Sequence, residues 1–451
     1  MARGLKLGDI QEADVVDLAH DGRGIARVDG KAVFIDGALP GERVRFRTYK
    51  RRRQMDEAGL VEVISASADR VVPRCAHFGV CGGCSLQHLA PAAQLAAKQR
   101  QLLDNLERIG RVTPQRVLAP LLGPSWAYRR RARIGVRYVH KKGRVLAGFR
   151  ERDKPYIADI QRCEVLLERF ADLPRQLADL VGTLTLRELI PQVELAAGDP
   201  RQDVATGADS ACAALVFRVM GPPTPDDLCK LTAFGAQHAV QIFLQSGGLD
   251  TVKPLNEGYA PLAYTVDDDR VTLEFGPVDF IQVNRAVNVA MVAAAVELLQ
   301  PKSTDAVLDL FCGLGNFTMS LGARAARVVG VEGDAALVAK ARANALRNGI
   351  TGADFHTENL FEPAKFGPWA DNSYDLVLLD PPRAGASEIM ERMAHWRPRR
   401  VVYISCHPGS LARDAGILVQ AQGYRLSGAG VMDMFPHTAH VESIAVFEAG
   451  A

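Results

Sequence analysis

Two hydrophobic periodicities divide the chain. Over roughly the first 65 residues, apolar and polar residues alternate in short runs separated by glycine. The runs are Ala13-Asp14-Val15-Val16-Asp17, Gly24-Ile25-Ala26-Arg27-Val28, Lys31-Ala32-Val33-Phe34-Ile35, Glu42-Arg43-Val44-Arg45-Phe46 and Leu60-Val61-Glu62-Val63-Ile64. Such alternation marks strands with one buried face, and Asp29-Gly30 between two of them is a hairpin signal. Five short strands so close together predict a small barrel of the oligonucleotide-binding type. A helical pattern follows from Ala92 to Arg108. From residue 266 onward the pattern becomes apolar strand and helix in alternation, which predicts a parallel sheet. Its strands include Ala306–Leu310, Val328–Glu332, Leu378-Leu379 and Val401–Ile404. Residues 164–265 mix both patterns between prolines and glycines and are read as a central α/β region with no chemistry of its own. The expected division is 1–68, a β-barrel; 69–265, a central α/β domain; and 266–451, a Rossmann-like α/β domain.

Charge changes this picture by its distribution. The net charge of +2 points to no partner by itself. Yet seven of the eleven residues from Arg43 to Arg53 are basic, with Phe46 and Tyr49 among them. On a barrel of this type such a hairpin suits a nucleic-acid backbone with bases stacked on the rings; the plain alternative is a solvated hairpin. The run Tyr128-Arg129-Arg130-Arg131-Ala132-Arg133, continuing to Tyr138, reads as a basic strand fit for phosphate contact; the plain alternative is an exposed strand face. No apolar run is long enough for a membrane span, and the start Met1-Ala2-Arg3-Gly4-Leu5-Lys6 lacks a signal-peptide core. A cytoplasmic protein with no membrane partner is expected. Eight cysteines in a reducing compartment then argue for metal binding or catalysis over disulfides.

Three of them form a C-x5-C-x2-C triplet, Cys75, Cys81 and Cys84, with Cys163 a candidate fourth ligand far downstream. Gly82-Gly83 allows a tight turn with two sulfurs on one side. Thiolates at four corners suit zinc or an iron–sulfur cluster, and spacing alone leaves both open. Cys212 and Cys229 lie in apolar sequence and are expected to pack in a core.

The second half carries a nucleotide-type layout. A strand ends in Asp309-Leu310, the loop Phe311-Cys312-Gly313-Leu314-Gly315-Asn316-Phe317 follows, and the next strand ends in Glu332. Glycines permit close approach, and an acid about 20 residues on can take ribose hydroxyls. The pattern is G-x-G, with no third glycine for a pyrophosphate and no P-loop lysine. S-adenosylmethionine, which has no pyrophosphate, fits better. Asn359 and Asp380 fall at further strand ends, and Gln282 precedes the first strand, as a donor contact or as a simple surface amide.

Cys406 stands at the end of the strand Val401-Val402-Tyr403-Ile404-Ser405, before His407-Pro408. Carboxyl ends of strands are where such sheets react. A thiolate adding to carbon 6 of uracil turns carbon 5 into a nucleophile towards a methylsulfonium, after which a base must remove the carbon 5 proton. Glu442, opening the apolar strand Ile444-Ala445-Val446-Phe447, is the candidate base; His437 and His440 are rivals on chemistry alone.

These pieces resemble a known family. Phe280-Ile281-Gln282-Val283-Asn284, Asp309 to Phe317, Asp380-Pro381-Pro382-Arg383, Ser405-Cys406-His407-Pro408 and His440-Val441-Glu442 are similar to motifs of the RNA uracil-C5 methyltransferases. Asp21-Gly22-Arg23-Gly24-Ile25-Ala26 and Gly37-Ala38-Leu39-Pro40-Gly41-Glu42 resemble a TRAM domain. With the cysteine triplet, the whole resembles the bacterial branch acting on 23S ribosomal RNA. The resemblance implies an S-adenosylmethionine-dependent methyltransferase fold with an N-terminal TRAM barrel and a central iron–sulfur domain. It implies Cys406 as nucleophile and Glu442 as base. Donor contacts would be Gln282, Phe311, Asn316, Glu332, Asn359 and Asp380. A [4Fe–4S] cluster would sit on Cys75, Cys81, Cys84 and Cys163. A monomer with the uridine flipped out of its stack is expected, because addition at carbon 6 cannot occur within a stack. One departure stands out: the family commonly has Asn where this chain has His407. The alternatives are the related transfer RNA enzyme, or an RNA-binding iron–sulfur protein without catalysis. A cytosine-C5 enzyme ranks low, since Asp380-Pro381-Pro382-Arg383 lacks the second cysteine many of those carry. An adenine amino-methyltransferase would need no thiol.

Overall fold

The computed structural model describes residue 8 and residues 10–200 and 213–450; Cys212 lies outside the described residues. The chain forms two compact units. One comprises Met1–Gln101, Arg150–Tyr156 and Phe435–His440; the other comprises Leu102–Phe149, Ile157–Met434 and Val441–Ala451.

In the first unit, strands β1 (Ile10–Leu18), β2 (Gly24–Val28), β3 (Lys31–Asp36), β4 (Arg43–Arg51) and β5 (Met55–Ser65) close into a barrel in the order β1-β2-β3-β5-β4. Alternation explains the closure. Val15, Ala26, Val33, Ile35, Val44, Phe46 and Ala58 point inward and form the core. Asp29 (φ 50°) and Gly30 (φ 81°) both take left-handed backbone at the β2–β3 turn, as a two-residue hairpin loop requires. The same alternation corrects two expectations. Phe46 is fully buried and offers no stacking face, because it shares the inward register of Val44 and Thr48. The basic run of β4 is also partly neutralised by its neighbours. Arg45 pairs with Glu12 (2.8 Å) and Glu62 (2.7 Å), and Arg52 pairs with Glu57 (2.7 Å). Tyr49 is tied through its hydroxyl to Asp36 (2.7 Å). Helix α1 (Pro91–Asn105) runs into a π-helical turn, Leu106–Gly110.

The second unit holds two larger sheets. Strands β6 (Arg131–Val139), β7 (Arg144–Gly148), β8 (Gln192–Ala197), β9 (Ala213–Arg218), β10 (Gln241–Gln245) and β11 (Val252–Pro254) form a mixed sheet in the order β11-β10-β9-β8-β6-β7. It is accompanied by helices α2 (Leu173–Gly182) and α3 (Pro225–Gln237). A Thr224–Asp227 capping box starts α3. Cys229 on that helix is exposed, not packed in a core, because Asp227, Leu231 and Phe234 occupy the buried face. The hairpin β12 (Leu262–Val266) and β13 (Val271–Phe275) then leads to α4 (Arg285–Leu299).

The remaining elements are β14 (Ala306–Leu310), α5 (Thr318–Gly322), β15 (Arg327–Glu332), α6 (Ala335–Arg347), β16 (Ala353–Thr357), β17 (Leu376–Leu379), α7 (Ser387–Met390), α8 (Met393–Trp396), β18 (Arg400–Ser405), α9 (Pro408–Gln420), β19 (Tyr424–Met432) and β20 (Glu442–Ala449). The sheet order is β16-β15-β14-β17-β18-β20-β19. Its first five strands are parallel, and β20 runs antiparallel to both β18 and β19. Continuous apolar runs such as Leu376–Leu379 are buried throughout, as strands covered on both faces must be. The order reverses beside β14, and the loops there and at the neighbouring carboxyl ends carry the candidate site. No helix is long and apolar enough to cross a membrane among the described residues.

Candidate active site

The loop after β14 approaches the mouth of the sheet closely. Phe311 (φ 63°), Gly313 (φ 55°) and Gly315 (φ 89°) all take left-handed backbone. At Gly315 a Cβ would also lie 2.3 Å from the Met319 Cε. Gly315→Ala should therefore cost about 1–3 kcal/mol of stability and weaken donor binding about tenfold. Denaturant titration and calorimetry with S-adenosylmethionine check this; unchanged donor affinity would remove the loop from the site. Glu332, at the end of β15, accepts the amide N–H of Gly313 (3.1 Å) on one oxygen and that of Asp334 (3.1 Å) on the other. Asn316 is held by Tyr264, whose hydroxyl donates to Asn316 Oδ1 (3.1 Å), and by reciprocal amide bonds with Asn288 (3.0 and 3.1 Å).

The sequence motif that contains Asp309 does not single it out. It is buried, accepts the Thr318 hydroxyl on Oδ2 (2.5 Å), and leaves Oδ1 without a partner. Burial pushes its carboxyl up to about 7, with the charges of Asp380 and Glu332 acting the same way. Asp380, just past β17, is likewise pushed up to about 7 by burial. Glycines that admit a ligand, a ribose-type acid at Glu332 and an unpartnered buried oxygen on Asp309 together fit an adenosyl donor with a cationic end. Gln282 is half-buried before α4, and its carbonyl accepts Arg130 Nε (2.8 Å). Phe311 lies against Phe361, with ring centroids 5.8 Å apart. Asn359 is exposed, its side chain closing a local turn with Glu362 (2.7 Å) and the Phe361 amide (3.1 Å).

Cys406 follows β18 directly. Ser405 pairs with Ser443 across the β18–β20 ladder, so the next step brings Cys406 towards Glu442. Glu442 is buried at 9% exposure. The thiol is pushed up to about 11, first by burial and then by the negative charges of Glu442 and Asp380, while its own backbone N–H and Arg383 act the other way. His407 caps α9: its Nδ1 accepts the amide N–H of Ser410 (3.1 Å). Asn is among the best cap residues, so a cap at this position is open to either side chain.

Arg130, just before β6, departs from the expected phosphate-binding role, whereas Arg133 and Arg137 on β6 are exposed. Arg130 is 2% exposed, stacks on Tyr264 at 4.6 Å and donates Nη1 to Asp199 (3.4 Å). Asp199 also accepts Arg285 Nε (2.7 Å) and the amide N–H and hydroxyl of Thr265 (2.9 and 3.1 Å). The stretch read as having no chemistry thus supplies the anchor for the segment that carries Gln282.

Against this geometry, residues 236–449 match the family model described as tRNA (Uracil-5-)-methyltransferase, and residues 4–54 match that of the TRAM domain. The chain is 50% identical over 440 residues, 97% of each chain, to 23S rRNA (uracil(1939)-C(5))-methyltransferase RlmD of Stenotrophomonas maltophilia strain K279a. The chain belongs to the RNA uracil-C5 methyltransferase family. The RlmD of Methylococcus capsulatus is 49% identical to this methyltransferase over 437 residues, covering 97% of this chain and 96% of the relative. The fold agrees with that of Pyrococcus abyssi tRNA (uracil-54, C5)-methyltransferase in complex with S-adenosyl-L-homocysteine. Their TM-score is 0.72 at 22% identity, over 97% of this chain and 100% of that one. The methyltransferase is an S-adenosylmethionine-dependent enzyme with an N-terminal TRAM barrel.

An iron–sulfur domain is a separate matter. Cys75, Cys81 and Cys84 are half-buried in the first unit, in turns without helix or strand, and Cys163 is buried in the second. None is in a disulfide. The Gly83 N–H points at Cys81 Sγ (3.4 Å). Among the described residues, no group of three or more His, Cys, Asp or Glu is arranged to hold a metal ion.

Proposed function

We propose that this chain methylates carbon 5 of a uridine in 23S ribosomal RNA, with Cys406 as nucleophile and Glu442 as base. The observation that supports it most is the placement of a strand-end thiol one ladder step beyond Ser405–Ser443, beside Glu442 and Asp380. The Cys406 thiolate adds to carbon 6 of the flipped uracil, and the electron pair moves to carbon 5 and the carbonyl. S-adenosylmethionine supplies the methyl group, and S-adenosylhomocysteine leaves. Glu442 takes the proton from carbon 5, the bond between sulfur and carbon 6 breaks, and 5-methyluridine departs. Gln282, Phe311, Asn316, Glu332, Asn359 and Asp380 are the proposed donor contacts. Relatives that share half their residues over nearly the whole chain support 23S ribosomal RNA as substrate. The transfer RNA reading has behind it the description of the family model and a solved structure at 22% identity, a likeness that carries the fold alone. Acting where ribosomes are made, the enzyme would work in the cytoplasm, as a monomer. Residues 1–68 would grip RNA, 69–265 would carry the cluster, and 266–451 the chemistry.

RNA containing 5-fluorouridine, incubated with enzyme and donor, should accumulate a stable covalent complex, since fluorine cannot leave as a proton. No complex with the wild-type protein would count against the mechanism. Mapping 5-methyluridine in RNA from cells lacking the gene assigns the substrate.

We also propose that Cys75, Cys81, Cys84 and Cys163 hold a [4Fe–4S] cluster. Four thiols outside any disulfide, a glycine turn and an N–H directed at a sulfur support it. Protein purified without oxygen should be brown and contain about four iron atoms per chain, and Cys84→Ala should lose most of them. Colourless protein with one zinc would assign the other metal.

A further inference from the structure

Two segments that carry proposed donor contacts meet on one guanidinium. Arg130 donates Nε to the Gln282 carbonyl (2.8 Å), and its backbone N–H donates to the Val283 carbonyl (3.0 Å). Its Cζ lies 4.6 Å from the centre of the Tyr264 ring, and the Tyr264 hydroxyl donates to Asn316 Oδ1 (3.1 Å). One buried cation thus reaches Gln282 directly and Asn316 through a ring. The central region anchors that cation in turn. The Arg130 carbonyl accepts the Ala197 N–H at the end of β8 (2.9 Å), and Nη1 donates to Asp199 (3.4 Å). The Asp199 N–H donates to the Ala263 carbonyl on β12 (2.7 Å), next to Tyr264. A second tie runs from β13. Asn344 on α6 bonds both backbone groups of Glu274 (2.9 and 3.2 Å) and donates to the Leu314 carbonyl in the donor loop (3.3 Å). The Asn316 amide is nearly spent on this support. Its Oδ1 accepts from Tyr264 and from the Asn288 amide (3.1 Å each), and one of its N–H groups goes to Asn288 Oδ1 (3.0 Å). An amide has two lone pairs and two N–H groups, so one N–H remains for a ligand.

We propose that Arg130 and Tyr264 are positioning residues for the methyl donor: Arg130 holds the Gln282 segment, and Tyr264 fixes the Asn316 amide so that its remaining N–H meets an acceptor atom of S-adenosylmethionine. The inference rests on Gln282 and Asn316 being donor contacts. A cation over the ring face draws electron density from the phenol, which makes its hydroxyl a better hydrogen-bond donor. Loss of that hydroxyl leaves Asn316 Oδ1 with one partner in place of two and frees the amide to turn. At 2% and 3% exposure, neither Arg130 nor Tyr264 can touch RNA. Their loss therefore weakens donor binding and leaves RNA affinity as it was. The donor site is in this sense built partly by residues that precede the methyltransferase domain in the chain.

Calorimetry with S-adenosylhomocysteine on the full chain reads the affinity of the donor site, and initial rates at varied donor and varied RNA separate the two KM values. Tyr264→Phe fills the same space, keeps the ring under the guanidinium and removes one hydroxyl. It should weaken S-adenosylhomocysteine binding about three- to tenfold and raise KM for S-adenosylmethionine in proportion, with KM for RNA unchanged. In an Asn316→Ala background the same change should have no further effect, because it acts through that amide. Arg130→Lys keeps the charge but cannot span Gln282, Asp199 and the ring together, and it should weaken donor binding about fivefold, again without moving KM for RNA. Wild-type affinity in Tyr264→Phe overturns the proposal. So does a loss that is equally large in the Asn316→Ala background, which would mark a general loosening of the core. If Asn316→Ala itself binds S-adenosylhomocysteine as the wild type does, the contact assignment falls and this inference with it. If Asn316→Ala weakens binding and Tyr264→Phe does not, this inference alone falls.

Discussion

Cys406→Ala should abolish methyl transfer, by at least about 10⁴-fold, while binding S-adenosylmethionine as the wild type does. The reason is chemical. Carbon 5 of uracil does not attack a methylsulfonium unless the ring is first made electron-rich by addition at carbon 6. The donor-binding loop lies on β14 and β15, two and three strands away from β18, so the substitution leaves it intact. With the thiol at about 11 in the free protein, only roughly one sulfur in a thousand is ionised at pH 8. Alkylation of wild-type Cys406 should accordingly rise about tenfold per pH unit across the neutral and mildly alkaline range, levelling near pH 11. Because a raised thiol pKa means that the reactive form gains population only as pH rises, a rate already flat at pH 7 would show that this environment is wrongly described. Retained turnover in Cys406→Ala would dismiss the covalent route.

Glu442→Gln should stop the reaction after methyl transfer. Turnover should fall about 10²- to 10⁴-fold, and a complex of protein and methylated RNA that survives denaturing electrophoresis should build up. The substitution keeps size and burial and removes only the capacity to take a proton. His437 is the natural control. It is buried and held at its backbone N–H by Gln94 Oε1 (2.9 Å), with the Gln94 amide 3.3 Å from its Nδ1. That is a structural role, so His437→Gln should lose stability and release its product normally. Stalling in His437→Gln and free turnover in Glu442→Gln would exchange their assignments.

Much of this could be read from residue order because the relevant signals are local. Period-two alternation marked the barrel strands, and the runs Ala306–Leu310 and Val401–Ser405 stood out as strands with polar groups waiting at their ends. The strand-end positions of Cys406 and Glu442 were legible for the same reason, each adjoining a strand of unmistakable pattern. What failed were judgements of facing. Phe46 looked exposed because arginines flank it, although those arginines merely take the outward turn of the same alternation. Arg130 looked like a phosphate ligand because its neighbours are basic, yet it is buried against Tyr264 and Asp199, more than 60 residues away in sequence. Asp199 carried no signal at all. A carboxylate that binds three distant partners looks, in sequence, like any other surface acid.

The ladder between β18 and β20 also sets a limit on how this enzyme can change. Cys406 and Glu442, the proposed nucleophile and base, are joined by paired strands and not by flexible connections, so their separation is a matter of counting residues. Inserting one residue between Glu442 and Ile444 would carry the glutamate to the opposite side of the sheet, away from the sulfur, without disturbing composition or charge. The constraint falls on chain length itself. In this short stretch it has to stay in phase.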